Sequence, residues 1–236
     1  MRGTVIVAGT RGPAEVHGVH GAQGLTRWAC LARRPGLLGN WEAVEWASLP
    51  PGGVSGEHLH TRTEEVYVLL TGRGEIILDG RPHPVEAGDV VLTGLGTTHG
   101  LRNAGTEALD WLVIEMPALP RLRTPILRHA VVTNLRRVGP IDPGAVLTGP
   151  LRHLELVRLR AGQRVELAAD ATEHTVFVTA GRGRAAAADV RVPLEPGRSV
   201  TLPLGSSASF TAGNDGLEYV HAVLTVPPSE HPGELR

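Results

Sequence analysis

The chain has 236 residues, a formal net charge of −1 at pH 7 and a hydrophobic fraction of 42%, enough for one large domain or two small ones, with only 3% aromatics so that aliphatic side chains must build the core. No basic run or aromatic–basic interleave suits nucleic acid, and all 23 basic residues are arginine, which excludes Schiff-base chemistry through lysine and a lysine-bearing phosphate loop. Cys30 is a lone cysteine without a partner base beside it in sequence, and no apolar run is long enough for a membrane-spanning helix, so the expectation is a cytoplasmic protein that uses neither membrane nor nucleic acid.

Taken in chain order, residues 1–30 read as an N-terminal loop or arm. Within it, His17-Gly18-Val19-His20-Gly21-Ala22-Gln23-Gly24 is a glycine-rich loop with two histidines; closure over a pocket, a bridge between subunits and plain solvation all stand open for it. Residues 31–118 read as a first β unit. Side chains at i and i+2 of a strand share a face, so His58 and His60 project together while Glu57 faces away. Glu65 opens a β-prone run to Leu70, and Tyr67 and Leu69 share its face. Asp79-Gly80 is a hairpin-turn dipeptide after Glu75-Ile76-Ile77-Leu78. Val90-Val91-Leu92 and Trp111-Leu112-Val113-Ile114 read as short strands, with His99 on a hairpin between them. Residues 119–150 form a linker rich in Pro and Arg, in which 127–137 reads as a short helix or an edge strand. A second β unit covers 151–228, with strands at Leu154–Val157, Thr175–Val178 and Leu217–Leu224, and 229–236 form a tail. No helical periodicity is long enough for a helical layer, so the fold class is all-β.

The two units are copies. A shift of 109 residues lays Glu64-Glu65-Val66-Tyr67-Val68 on Glu173-His174-Thr175-Val176-Phe177, Gly72-Arg73-Gly74 on Gly181-Arg182-Gly183, and Glu86-Ala87-Gly88 on Glu195-Pro196-Gly197. Under the same shift His58 and His60 become Leu167 and Ala169, Glu65 becomes His174, and His99 becomes Ala208. The second copy therefore keeps the turn glycines and strand pattern and loses the groups that carry chemistry. It reads as structural, with His174 as a satisfied buried or rim histidine.

Gly52 to Gly72, with His58, His60 and Glu65, resembles the first motif of the cupin superfamily. Gly88 to Asn103, with His99, resembles the second, except that Gly94 stands where the family has proline. The resemblance implies two tandem cupin barrels of jelly-roll type, an intact N-terminal one and a degenerate C-terminal one, and a metal held by His58, His60, Glu65 and His99. Glu64 competes with Glu65 for the carboxylate position, and the spacing to Gly72 favours Glu65. Imidazole and carboxylate ligands suit Fe, Mn, Ni, Cu or Zn, and the ligand list does not choose among them. Around the metal, Tyr67 is the candidate catalytic residue, Trp46 and Trp111 the candidate cavity walls, and Arg102 the candidate partner of an anionic substrate at the barrel mouth. The expected function is an Fe(II)-dependent oxygenase of bacterial specialised metabolism acting on a small organic molecule. A redox-neutral isomerase, cyclase or lyase and a non-catalytic small-molecule binder are the alternatives, because cupin folds serve many chemistries. The family also implies a homodimer.

Overall fold

Short runs of alternating apolar and polar residues, punctuated by glycine turns, give eighteen strands in the computed structural model, which describes residues 4–22, 24–119, 130–188 and 190–227. The first eleven are β1 (Ile6–Gly9), β2 (Ala14–His17), β3 (Leu25–Arg33), β4 (Ala43–Leu49), β5 (Val54–Leu59), β6 (Thr63–Thr71), β7 (Arg73–Leu78), β8 (Arg81–Glu86), β9 (Asp89–Thr93), β10 (Thr98–Arg102) and β11 (Leu109–Pro117). β12 (Ala130–Asn134) leads into a one-turn helix α1 (Leu135–Val138), and the second half follows as β13 (Leu151–Leu159), β14 (Arg164–Ala168), β15 (Thr172–Ala187), β16 (Val190–Leu194), β17 (Arg198–Leu202) and β18 (Ser207–Thr225). The all-β expectation holds. Among the described residues no helix is long and apolar enough to cross a membrane.

In the N-terminal barrel a seven-stranded sheet, ordered β12-β9-β6-β11-β4-β3-β2, packs on a four-stranded sheet, β5-β10-β7-β8. Ala47, Tyr67, Leu69 and Trp111 from the first meet Ile76, Val85 and Leu101 from the second in one buried cluster. The C-terminal barrel is a single sheet, β1-β17-β15-β18-β13, with β14 on β18 and β16 on β15. Its long strands β15 and β18 shift register at Val178/Ala180 and Gly181/Gly183, and this lets one sheet curl around its own core of Val176, Val178, Phe210 and Tyr219. Gly181 sits at φ 75°, and a Cβ there would fall 2.3 Å from the Gly216 carbonyl oxygen, so glycine is required at that bend.

A third core glues the barrels together. On β6 and β11, Val66, Val68, Leu112 and Ile114 point away from their own barrel and pack with Leu154, Phe177, Val220, Ala222 and Leu224. The period of two thus serves two cores at once: Tyr67 and Leu69 fill one, and Val66 and Val68 the other.

One expectation is corrected. The stretch expected to be an N-terminal loop or arm holds strands: β2 and β3 extend the N-terminal sheet, and β1 crosses to the other barrel and pairs with the edge strand β17. Four-residue strands such as β1 and β2 carry too little periodicity to be legible, and their pairing partners lie far away in sequence. The described part of the linker holds the elements expected of it. β12 adds to β9, and the Asn134 side chain then caps α1 by accepting from Arg136 N, so helix and edge strand both occur. Residues 127–129 of that expectation, and the 229–236 tail, lie outside the described residues.

Candidate metal centre

Three strands bring the four motif residues together. His58 and His99 are direct register partners across β5 and β10, His60 follows the end of β5, and Glu65 starts the inward face of β6. His60 Nε2 lies 3.1 Å from His99 Nε2, which lies 3.2 Å from His58 Nε2. Glu65 Oε2 lies 3.2 Å from His99 Nε2 and 3.5 Å from His60 Nε2. All four ligand atoms lie within 4.8 Å of one another.

The outer ring nitrogens are already committed. His58 Nδ1 faces the Gly56 carbonyl at 3.2 Å, His60 Nδ1 the Thr63 carbonyl at 3.1 Å, and His99 Nδ1 the Thr93 hydroxyl at 2.9 Å. Two carbonyls accept only from N–H, so His58 and His60 are protonated on Nδ1 and turn the Nε2 lone pair inward. Such outer contacts orient metal-binding imidazoles. Glu65 Oε2 is buried and has no hydrogen-bond partner among the described residues. Three inward nitrogens at 3.1–3.2 Å and one orphaned carboxylate oxygen are a donor set that a cation satisfies and that none of the described residues does.

The electrostatics agree. Burial lowers His99 to about 4, and burial followed by the charge of His99 lowers His58. His60 is lowered chiefly by burial. All three are therefore neutral at pH 7, the form that binds metal. Burial raises Glu65, against which the neighbouring His60 and His58 and a hydrogen bond from Tyr67 act. A buried carboxylate held this way calls for a positive partner. The second carboxylate, Glu64, points the other way: it is fully buried and receives Thr148 N and Gly149 N.

A cavity of about 380 Å³ opens from Glu65 to the edge of the barrel. Tyr67 and Trp111 stand in its wall, Tyr67 with its ring centroid 4.8 Å from that of His99. Two expected wall residues are elsewhere. Trp46 points to the opposite face of β4 and packs against the inter-barrel core, whereas its neighbours Glu45 and Ala47 line the cavity. Arg102 is half exposed on the outside of β10 and pairs with Glu75. From His99, period two already sends position 102 outward.

The structure also adds residues. His20 stacks on His58 with centroids 3.6 Å apart and planes 12° apart, and Val16 and Val19 line the cavity beside it, so the glycine-rich loop covers this site. The fit is close: a Cβ on Gly56 would fall 2.2 Å from the His20 carbonyl oxygen. Trp28 and Arg33, both on β3, complete the wall. In the C-terminal barrel His174 has partners that the repeat did not reveal. Its Nδ1 lies 2.9 Å from His221 Nε2, and His221 Nδ1 lies 3.1 Å from Glu155 Oε1.

Two β-barrels built from antiparallel sheets, one with a three-histidine, one-carboxylate centre at its open end, define the protein as a cupin-type barrel protein. A family model described as Cupin domain matches residues 45–115, which contain all four centre residues. An oxalate-binding protein of Thermotoga maritima is 29% identical over 112 residues, covering 48% of this chain and 93% of the relative. An uncharacterized protein of Methanocaldococcus jannaschii is 33% identical over 86 residues, covering 36% of this chain and 69% of the relative. Among solved structures, the Escherichia coli protein Ylba superposes with a TM-score of 0.77 at 13% identity, covering 98% of this chain and 95% of that one, which shows a shared fold. The chain belongs to the cupin superfamily.

Proposed function

We propose that His58, His60, Glu65 and His99 hold one divalent transition metal, and that the N-terminal barrel is an oxygenase working on a small organic molecule, with Fe(II) as the metal. The observation that carries this reading is the convergence of three inward Nε2 atoms on the orphaned Glu65 Oε2. When bound, such a metal would supply Lewis acidity to a substrate oxygen and a means of activating O2. The chain does the rest. The Gly56, Thr63 and Thr93 contacts fix the imidazole orientations, and the Val19–Gly21 turn shields the centre from water. Tyr67, raised well above its ordinary range by burial and the Glu65 charge, keeps its proton and serves as a hydrogen-bond donor. A relative named for oxalate binding supports a small-molecule ligand. The second barrel is the structural partner.

A redox-neutral reading is favoured by one further observation. Glu115, register partner of Glu65, is raised to about 7 by burial and then by the Glu65 charge, which poises one carboxyl next to the centre to take up or release a proton near neutral pH. The test is metal analysis of protein purified anaerobically, followed by substrate-dependent O2 uptake. About one iron per chain, absent from His58→Ala/His60→Ala, supports the centre. Turnover unchanged under strict anaerobiosis, with solvent deuterium in the product, replaces the oxygenase with an isomerase, cyclase or lyase.

A further inference from the structure

We propose that Arg33 is the anion-recognition residue of this cavity, so that the ligand of the N-terminal barrel is a small organic carboxylate whose acid group docks on the Arg33 guanidinium. The inference rests on the reading of the cavity as the substrate site of the metal centre.

Arg33 lines the same cavity as Glu65, Tyr67 and Trp111, and it is the arginine in that wall among the described residues. Its guanidinium is fixed before any ligand arrives. Nη2 donates to Glu45 Oε1 at 3.2 Å, and Nε donates to Cys30 Sγ at 3.2 Å. The Trp28 indole lies beneath it, with Cζ 5.5 Å from the ring centroid. Trp28 Nε1 in turn donates to Glu45 Oε2 at 2.8 Å, which pins the carboxylate that pins the arginine.

These contacts use one edge of the fork, Nε with one hydrogen of Nη2. A guanidinium carries five N–H donors, so the terminal edge, Nη1 with the other Nη2 hydrogen, is left for a ligand. That edge matches the two oxygens of a carboxylate. An arginine already ordered by its neighbours loses little further freedom on binding.

The rest of the wall is apolar, from Val16, Val19 and Val113, and suits an organic body of modest size in about 380 Å³. Trp111 Nε1, in the same wall, is buried and has no hydrogen-bond acceptor among the described residues. An oxygen-rich ligand supplies the acceptor this donor lacks. Ser55 and Thr26 offer further hydroxyls. No step of bond making is implied: Arg33 binds and orients.

The experiment measures calorimetric binding of acetate, succinate and benzoate, each beside its primary amide, up to about 10 mM, the range of a single charge-assisted contact. Parent, Arg33→Gln, Arg33→Lys and His58→Ala/His60→Ala are compared, with metal content and thermal midpoint recorded for each. The expected result is a preference of about tenfold or more for at least one acid over its amide in the parent. That preference persists in the His58→Ala/His60→Ala protein, is partly kept in Arg33→Lys and is lost in Arg33→Gln. Arg33→Gln is expected to keep its metal and its fold. Equal acid preference in Arg33→Gln and parent overturns the proposal, as does the absence of any acid binding to the parent. A preference that vanishes with the two histidines yet survives in Arg33→Gln also overturns it, assigning the anion to the metal. Failure of the metal reading shows separately, as a metal-free parent.

Discussion

Glu64 and Glu173, equivalent positions of the two copies, each reach out of their own barrel and grip the chain that enters the other. Glu64, on β6, receives Thr148 N, Thr148 Oγ1 and Gly149 N just before β13. Glu173, on β15, receives Leu38 N, Gly39 N and Trp41 Nε1 just before β4, together with Leu204 N. Both carboxylates are fully buried. The pair works as a reciprocal clasp around the inter-barrel core, which explains why Glu64 was never free to act as a ligand. Removing either side chain strands several buried donors, each worth about 1–3 kcal/mol. Glu64→Ala and Glu173→Ala are therefore expected to lose about 3 kcal/mol or more in urea unfolding, by similar amounts, with metal binding by the folded fraction retained. A loss under about 1 kcal/mol in either would refute the clasp.

The centre itself should report on metal through stability. A ligand that binds the native state alone adds about 2.7 kcal/mol at a free concentration of about 100 Kd. Chelation is expected to lower the thermal midpoint, and re-addition to restore it. The His58→Ala/His60→Ala protein, without two of the four proposed ligands, is expected to show the same midpoint with and without metal. A metal-dependent rise persisting in that variant would place the ion elsewhere.

The Val19–Gly21 turn lies over the centre through the stack of His20 on His58 and a close backbone approach at Gly56. Gly56 lies under the His20 carbonyl, and any side chain there collides with backbone rather than with a flexible tip. Gly56→Ala is expected to displace the turn and dissolve the His20–His58 stack. Amide hydrogen exchange at residues 18–22 should then accelerate at least about tenfold, while exchange in β6 and β11 stays slow. His20→Ala, which keeps the backbone approach, should speed exchange less. Identical protection in Gly56→Ala and parent would show that the turn tolerates the intrusion.

The His174–His221 pair makes the C-terminal barrel acid-sensitive. One proton fits between His174 Nδ1 and His221 Nε2 at 2.9 Å; a second sets two donors against each other. Burial, and then the charge of His221, lowers His174 to about 4, and burial lowers His221 despite Glu155. Histidine in the unfolded chain titrates near about 6.5. The unfolded state therefore takes up protons first, so the stability this pair contributes is complete above about 6.5 and is lost as pH falls toward 4. The difference in unfolding free energy between parent and His174→Val/His221→Phe should shrink over that window. A pH-independent difference would sink this account.

The sequence by itself determined the parts of this protein that depend on short-range geometry. His58 and His60 share a face because they are two apart in a strand, Glu65 follows across a tight turn, and glycines at Gly72, Gly88 and Gly181 mark bends that strand propensity alone fixes. The copied frame and the loss of ligands from its second half were legible for the same reason. What only the tertiary structure decided is which residues far from the motifs face the cavity, because a register change of one residue turns every side chain over. Trp46 and Glu45 exchange inside for outside according to how β4 pairs with β11. Trp28 and Arg33 differ in parity, and plain alternation sets them on opposite faces. They share the cavity wall because β3 shifts register between Cys30 and Ala32. The partner of His174 lies 47 residues away on β18, at a place where the first barrel has Val113. Local spacing sets a ligand triad; long-range pairing sets what surrounds it, and neither bulge nor register is written in any window of sequence short enough to read.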